Sequence, residues 1–278
     1  MTDDFKRGFF TTLVILKDYI PDIVIAGGWA PFIYYQYLLH NKNLNPLRTK
    51  DIDIVVPPKL KKITDNTIDE LLITAGLMPN FKSLHTPPVI HYEGNIEGCE
   101  VEIEFLTTRK NNKENKVIIV QKGLHAQSLP FISILLENTI WVKVDDVPCI
   151  GDEYFQIRVP TPGAYIFNKG LTFQRRIKRI KKAKDLYYIF DILANCQKLM
   201  QGVFNELKYF NKNYPKKWFR RFISNMKIYF ADETSKGIDL IISQRTETAF
   251  PNMNEEQFKH YVVGVFQELI NKISSMPE

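Results

Sequence analysis

Two aspartates lie inside a short apolar segment, and no other feature constrains the fold and the chemistry of the chain as strongly. Asp51 and Asp53 occur in "DIDIVV" at residues 51–56, a β-branched run typical of a buried strand. Successive side chains of a strand point to opposite faces, so both carboxylates share one face, with Cα atoms roughly 6.5 to 7 Å apart. Adjacent carboxylates repel each other unless a cation or a strong donor lies between them. The pattern therefore predicts a divalent metal site, with solvent-facing aspartates on an edge strand as the alternative.

A pair of glycines precedes the aspartates. Gly27 and Gly28 end the apolar run "IVIA" and lead into "WAPFIYYQYLLHN", which has helical spacing and Pro31 in its first turn. Free N–H groups and the dipole at a helix N-terminus favour phosphate, and glycine lets a ligand approach the backbone closely. We expect this turn to bind phosphate, and a simple tight turn is the alternative.

A third acidic group is predicted on a later strand. Residues 89–108 resemble a hairpin, and the second half of the segment alternates three glutamates with apolar residues. Glu104 is the candidate that completes a two-metal site for phosphoryl transfer with Asp51 and Asp53, and Glu102 is its substitute. Considered alone, this strand would also fit a solvated acidic face.

The distribution of patterns along the chain predicts the fold class. Extended runs dominate before "VPTPG" at residues 159–163, and long helical patterns follow it. We predict an α/β (α+β) fold, with a mixed β-sheet core at 1–160 and a mainly helical C-terminal domain at 161–278. Apart from the elements above, the predicted helices and strands span residues 3–20, 59–76, 117–121, 139–145 and 154–159.

Composition excludes several classes of protein. The three cysteines, Cys99, Cys149 and Cys196, form no C-x-x-C pair, which argues against a disulfide framework and a zinc ribbon. The acidic N-terminus fits neither a signal peptide nor a membrane span, so a cytoplasmic protein without membrane partners is expected. No P-loop and no G-x-S-x-G motif occur, and the five histidines show no metal spacing and are assigned no role.

Net charge points to anionic partners. The chain carries 37 Lys and Arg against 31 Asp and Glu, a formal charge of +6, which favours nucleotides or RNA. The densest basic run is "QRRIKRIKKAK" at residues 174–184. We expect it to form a helix that either follows an RNA backbone or presents a solvent face over a buried core. The predicted buried stripe of that helix consists of Ile177, Ile180, Ala183, Tyr187 and Phe190.

Together the motifs resemble the nucleotidyltransferase superfamily that includes DNA polymerase β. Its signature is a glycine turn, a helix, D-x-D on a strand and a third acid on a later strand, here Gly27 and Gly28, Asp51 and Asp53, and Glu104. "GGWA" followed by "DIDI" is similar to lincosamide and aminoglycoside nucleotidyltransferases. The long spacing, "VEIEFLT" and "KAKDLYYIFDIL" look more like AbiEii-type nucleotidyltransferases of toxin and antitoxin systems, which we consider the closer group.

This resemblance implies a function and a set of ligands. Residues 20–110 would form the core of a metal-dependent enzyme that transfers an NMP from an NTP to a hydroxyl. Two Mg²⁺ ions, with Mn²⁺ as the other suitable metal, would bind the three acidic residues. RNA, above all tRNA, ranks ahead of a small molecule such as an antibiotic, and a protein side chain comes third. A cognate antitoxin is an implied partner.

Two departures from the family pattern keep an inactive nucleotide-binding or partner-binding module open as an alternative. Trp29 replaces the Ser or Thr that often follows the glycines, so at this position the nucleotide would depend on backbone N–H groups. Glu104 is one methylene longer than the more usual Asp.

The AbiEii-type resemblance also implies two functional residues in the helical region. They are Lys169 in "AYIFNKGL" and Asp185 in "KAKDLYYIFD". Lys169 would bind phosphate, and Asp185 would orient it or accept a proton from the acceptor hydroxyl. Alternatively, Lys169 is a surface lysine and Asp185 pairs with Lys181 or Lys182 on its own helix.

Overall fold

The computed structural model describes residues 3–44, 46–47, 49–63, 65–83, 88–109, 116–145 and 155–276. Its chain divides into two compact units, Met1–Thr161 and Pro162–Glu278. The first contains a mixed sheet with short helices, and the described part of the second is helical. The predicted fold class is therefore confirmed. Cys149 and His85, which the sequence analysis considered, lie outside the described residues.

The described residues of the first unit form a seven-stranded mixed sheet and a separate two-stranded sheet. The strands of the two sheets are β1 Val24–Ile25, β2 Asp51–Val55, β3 Met78–Ser83, β4 Val89–Ile96, β5 Cys99–Thr108, β6 Val117–Gln121, β7 Leu124–Leu129, β8 Thr139–Val144 and β9 Phe155–Pro160. The large sheet has the order β1-β2-β5-β4-β3, and the β6–β7 hairpin joins β5 through β7. Strand β5 pairs in parallel with β2 and β7 and antiparallel with β4. Strands β8 and β9 form the second sheet.

Alternation along β5 defines the two faces of the sheet. Val101, Ile103 and Phe105 are buried, whereas the residues between them are partly exposed. The helix Asp3–Ile15 packs on the apolar side, where a Cβ built on Gly8 would lie 3.0 Å from Cβ of Cys99. The opposite face is left for the acidic side chains.

One helix predicted in the first unit is shorter than expected, and two strands had not been predicted. The helix predicted over 59–76 spans only Ile68–Thr74, because it begins at a capping box in which Thr67 and Glu70 exchange hydrogen bonds of 2.7 and 3.2 Å. Strands β3 and β7 had not been predicted. The described α-helices of the first unit are α1 Asp3–Ile15, α2 Trp29–Ile33, α3 Ile68–Thr74 and α4 Ser133–Glu137, and a π-helical turn, Tyr34–Leu38, follows α2.

The described helices of the second unit are α5 Pro162–Thr172, α6 Arg179–Asn195, α7 Met200–Asn213, α8 Lys216–Phe230, α9 Lys236–Ile242 and α10 Glu255–Ser274. Stacked phenylalanines link two of them, since the rings of Phe230 and Phe266 lie 3.5 Å apart at 2°. Within the described ranges, no helix combines the length and the apolar character that crossing a bilayer requires.

The buried stripe predicted for the basic run is wrong in its first half. Ile177 is 100% exposed and Ile180 is 65% exposed, whereas Ala183, Tyr187 and Phe190 are buried. The reason is that α6 begins only at Arg179, so Ile177 precedes the helix and helical spacing does not apply to it.

Two helical glycines give a matched test of packing in the second unit. A Cβ at Gly170 would overlap the Phe222 ring, whereas one at Gly264 would meet nothing within 4 Å. We expect Gly264→Ala to raise the free energy of unfolding by about 0.5–1 kcal/mol, because alanine favours helix. Gly170→Ala should lower it by about 1–3 kcal/mol through overpacking. Chemical unfolding of both variants measures this, and equal effects would contradict the packing around Gly170.

Candidate active site

The two aspartates lie beside two glutamates on neighbouring strands. Strand β2 runs parallel to β5 with Asp51 opposite Glu102 and Asp53 opposite Glu104. All four side chains are partly exposed and share a face, while Ile52 between the aspartates is 1% exposed. The structure therefore brings Asp51, Asp53 and Glu104 to one face of adjacent strands. It also leaves Glu102 an equal neighbour, next to Asp51.

The glycine turn lies against Asp53. Ala26 N–H donates to the carbonyl oxygen of Asp53 at 2.8 Å, and Gly27 follows with φ of +59°. A Cβ built on Gly27 would overlap the carboxylate oxygen Oδ2 of Asp53 and lie 2.8 Å from its Cγ. Glycine is thus required twice, for the left-handed backbone and for the space that the carboxylate occupies.

A buried threonine contacts the first aspartate. The Oγ1 hydroxyl of Thr49, a residue that is 8% exposed, donates to Oδ1 of Asp51 at 3.2 Å. Sequence reasoning did not single out Thr49. The available signal was a hydroxyl two residues before the aspartate, a spacing at which Ser and Thr often bond locally.

The carboxylate face ends at a small apolar cluster. Val24, Ala26 and Val55 pack there with Ile132 and Leu135 of the segment that contains α4, and Leu106, Leu129 and Leu136 lie against them. Val55 and Leu106 follow Asp53 and Glu104 by two residues on their strands, and they face each other across the pair. The acidic residues consequently border a buried core rather than lying in it.

The donor chemistry of this face fits Mg²⁺, which prefers hard oxygen ligands. In the described part of the chain, however, no three His, Cys, Asp or Glu side chains are placed closely enough to hold a metal ion. A site here would therefore need movement of the carboxylates or oxygens from water and substrate phosphate, which Mg²⁺ commonly retains.

Gly28 and Trp29 have different surroundings. Gly28 is the N-cap of α2 and has ordinary helical φ and ψ of −73° and −12°. The Trp29 indole is 1% exposed and stacks on Phe9 at 3.8 Å between ring centroids. Its side chain thus anchors the start of the helix in the core, and only its backbone is a candidate for contact with a ligand. The nucleotide-binding roles of both residues stay predictions.

In the second unit, Lys169 and Asp185 contact each other directly. The Nζ of Lys169 lies 2.5 Å from Oδ1 of Asp185, and Nε of Arg176 donates to Oδ2 at 2.7 Å. Lys169 is 9% exposed and Asp185 is 3% exposed. The surface-lysine alternative is therefore wrong, and both Asp185 oxygens have these cations as partners rather than Lys181 or Lys182. Sequence analysis had not identified Arg176.

Electrostatics keeps Asp185 ionised despite its burial. Burial alone raises the pKa of this carboxyl, but the charges and hydrogen bonds of Lys169 and Arg176 outweigh that effect and hold the pKa below its usual value. The rings of Tyr165 and Tyr188 also lie 5.5 and 5.7 Å from Nζ of Lys169, distances at which an aromatic face attracts a cation. Lys169 and Asp185 thus form a buried ionic contact.

A family model described as nucleotidyltransferase matches residues 20–207, more than half of the 278 residues. The chain belongs to the nucleotidyltransferase family. The match includes the glycine turn, the carboxylate face, Lys169 and Asp185. The general prediction of a nucleotidyltransferase is thus confirmed, whereas the AbiEii-type and lincosamide resemblances stay predictions.

Among solved structures, this nucleotidyltransferase is similar to an antigenic nucleotidyltransferase-like protein from Paracoccidioides brasiliensis. The two chains are 17% identical, and the similarity covers 80% of this chain and 93% of that one. Its TM-score of 0.39 is too low to carry an argument about function. No curated protein matches the sequence.

The nucleotidyltransferase sheet also holds a histidine to which sequence analysis gave no role. His91 on β4 is the cross-strand partner of Glu104, and its Nε2 lies 2.9 Å from Oε2 of Glu93. No sequence spacing could reveal this neighbour, because it depends on the pairing of β4 with β5.

Replacement of Gly27 tests the close contact with Asp53. Gly27→Ala and Gly76→Ala both place alanine at positive φ, but a Cβ at Gly76 meets nothing within 4 Å. We expect Gly76→Ala to lose about 1–2 kcal/mol of stability through positive φ alone and Gly27→Ala to lose more, because its Cβ also overlaps Asp53. Only Gly27→Ala should lose binding of NTP with Mg²⁺ in calorimetry. Equal NTP binding by the two variants would contradict the proposed role of this contact.

Replacement of Asp185 tests the buried ionic contact. Asp185→Asn should lower the free energy of unfolding at pH 7 by about 3–5 kcal/mol, because the buried Lys169 loses its counterion. The folded-state pKa of Asp185 lies below the ordinary 3.8, so this stability is present above pH 3.8 and is lost as pH falls through the folded pKa. The difference from wild type in urea unfolding should therefore shrink below about pH 4. Glu247→Gln, an exposed control, should change stability by under about 0.5 kcal/mol.

Proposed function

We propose that the protein is a metal-dependent enzyme that transfers a nucleoside monophosphate from an NTP to a hydroxyl group. The observation that carries this proposal is the contact of the Gly27 turn with Asp53, which lies beside Glu104 on the next strand. A backbone turn that can approach phosphate and a carboxylate face are the two parts that nucleotidyl transfer requires.

In this proposal, each candidate site residue of the first unit has a role. The N–H groups at Gly27, Gly28 and Trp29 bind phosphate oxygens of the NTP. Asp51, Asp53 and Glu104 would hold Mg²⁺, or Mn²⁺, and Glu102 is the alternative third ligand. When bound, the metal neutralises phosphate charge and lowers the pKa of a coordinated hydroxyl. Thr49 keeps the Asp51 carboxylate oriented through its hydrogen bond.

In the second unit, Lys169 binds a phosphate group as a point charge and Asp185 orients it. The alternative role of Asp185 as proton acceptor is less consistent with its surroundings. Its two oxygens already accept hydrogen bonds from Lys169 and Arg176, and its lowered pKa makes it a poor base.

The distribution of charge supports RNA as the acceptor, with tRNA ranked first. Residues 162–278 contain 20 Lys and Arg against 11 Asp and Glu, a formal charge of +9, whereas residues 1–161 contain 17 against 20, a charge of −3. Lys178, Arg179 and Lys181 in the basic run are exposed. Each phosphate that such cations neutralise releases counterions, so binding would weaken steeply with salt. A small hydroxylated molecule is the second candidate.

One observation favours a nucleotide-binding module without catalysis. No three candidate metal ligands among the described residues are close enough to hold an ion. A protein of this kind would bind an NTP at the glycine turn and release it unchanged.

Incubation with labelled NTPs separates these functions. Wild-type protein, Mg²⁺ and each NTP are mixed with total RNA, a cell-protein fraction or small alcohols, and label transfer is measured. We expect label in RNA and a fall of about a hundredfold or more for Asp53→Asn. Glu100→Gln is the matched control, since Glu100 is on β5 but exposed and 3.7 Å from Lys50, and it should retain wild-type activity.

Other results of the labelling experiment would change the proposed function or its acceptor. Tight NTP binding by wild-type protein without label transfer to any fraction would replace the enzyme by the binding module. Label in the small-molecule fraction would change the acceptor and keep the reaction. Separate losses in Glu104→Gln and Glu102→Gln identify which glutamate serves as the third ligand.

A further inference from the structure

A histidine lies next to the paired acidic residues Asp53 and Glu104, in the same row across the sheet. Asp53 on β2 pairs with Glu104 on β5, Glu104 pairs with His91 on β4, and His91 pairs with Asn80 on β3. Directly paired residues of neighbouring strands project from the same face. His91 therefore lies on the face of the candidate active site, one strand beyond Glu104.

Hydrogen bonds determine which imidazole nitrogen of His91 carries the hydrogen. Nδ2 of Asn80 donates to Oε1 of Glu93 at 2.6 Å, and Oε2 of Glu93 lies 2.9 Å from Nε2 of His91. An ionised carboxylate can only accept hydrogen bonds, so Nε2 carries the hydrogen. In the neutral ring the other nitrogen, Nδ1, then has a lone pair and acts as an acceptor.

That acceptor has no hydrogen-bond partner within the described part of the chain. Nδ1 of His91 is buried, and the whole residue is 7% exposed. Buried polar atoms are nearly always hydrogen-bonded, and exceptions often mark sites for a ligand. Nδ1 of His125 also lacks a partner among the described residues, and His125 lies on the same face, because Gln127, two residues along β7, pairs with Leu106 of β5. The cross-strand partner of His125 is Ile119, however, and of the two histidines only His91 is paired with Glu104.

We propose that Nδ1 of His91 accepts the hydrogen of the acceptor hydroxyl during nucleotidyl transfer. The proposal rests on the function proposed above. The proton passes from the hydroxyl to Nδ1, the hydroxyl oxygen forms a bond to the α-phosphorus, and the bond from that phosphorus to the bridging oxygen breaks. Pyrophosphate leaves with the electron pair of the broken bond.

The neighbours of the imidazole suit this role. Glu93 stabilises the imidazolium that forms, and Asn80 holds Glu93 in position, which is the logic of a general base oriented by a carboxylate. Glu93 is 49% exposed at its side chain, and Glu104 is partly exposed. The proposal requires that Nδ1 becomes accessible when the carboxylates move to bind metal, while Glu93 keeps its contact with Nε2.

Nitrogen NMR tests the hydrogen-bond arrangement without reference to activity. Protein with ¹⁵N-labelled histidine should show His91 as the Nε2–H tautomer, with Nδ1 unprotonated, at neutral pH. Glu93→Gln should reduce the preference for this tautomer because the carboxylate acceptor is lost. A His91 ring with hydrogen on Nδ1 in the wild-type protein would overturn the proposal, whatever the enzyme does.

Kinetics tests the catalytic role. His91→Gln places an amide near the position of Nε2 and removes the acceptor at Nδ1, so kcat should fall tenfold or more with KM for NTP within twofold. His260→Gln, a control in the second unit whose side chain is 55% exposed, should keep both constants within twofold. His91→Asn keeps a hydrogen-bond acceptor near the position of Nδ1 but supplies no base, so its kcat should stay as low as that of His91→Gln.

The two proposals fail in different ways. Wild-type kcat in His91→Gln, in an active protein, would overturn the role of His91 and leave the proposed function intact. A parallel loss in His260→Gln would show a general effect of histidine replacement and would also overturn it. A wild-type protein that transfers no nucleotide to any acceptor would remove both.

Discussion

The close approach of the Gly27 backbone to the Asp53 carboxylate is the contact on which the rest of the site depends. It exists because β1 pairs antiparallel with β2, which brings the turn after β1 beside the middle of β2. The same strand then pairs in parallel with β5 and gives Asp53 an acidic neighbour. The glycine turn and the carboxylate face thus come from two ladders that share one strand.

Local rules predicted part of this arrangement and long-range pairing supplied the rest. The two-residue period of a strand was enough to place Asp51 and Asp53 on one face. It could not say whether Asp53 faces Glu102 or Glu104, since the register between β2 and β5 is set across about fifty residues of chain. His91 was missed for the same reason, because its place beside Glu104 depends on strand pairing rather than on sequence spacing.

In the second unit, local spacing failed where tertiary contacts dominate. The i, i+4 rule offered Asp185 a lysine on its own helix, but a lysine from α5 and an arginine before α6 take both of its oxygens. Helical periodicity likewise assigned Ile177 to a core that begins only after the start of α6. A buried carboxylate takes the partners that compensate its desolvation, and these need not be neighbours in sequence.

The burial of Trp29 against Phe9 has a consequence for the fluorescence emission of this indole. An indole that is 1% exposed, whose Nε1 lacks a hydrogen-bond partner among the described residues, should emit at short wavelength. Trp141, by contrast, is 51% exposed and should emit like tryptophan in water. Because Trp29 directly follows the glycine turn, its blue-shifted emission is a built-in spectroscopic reporter of events at that turn.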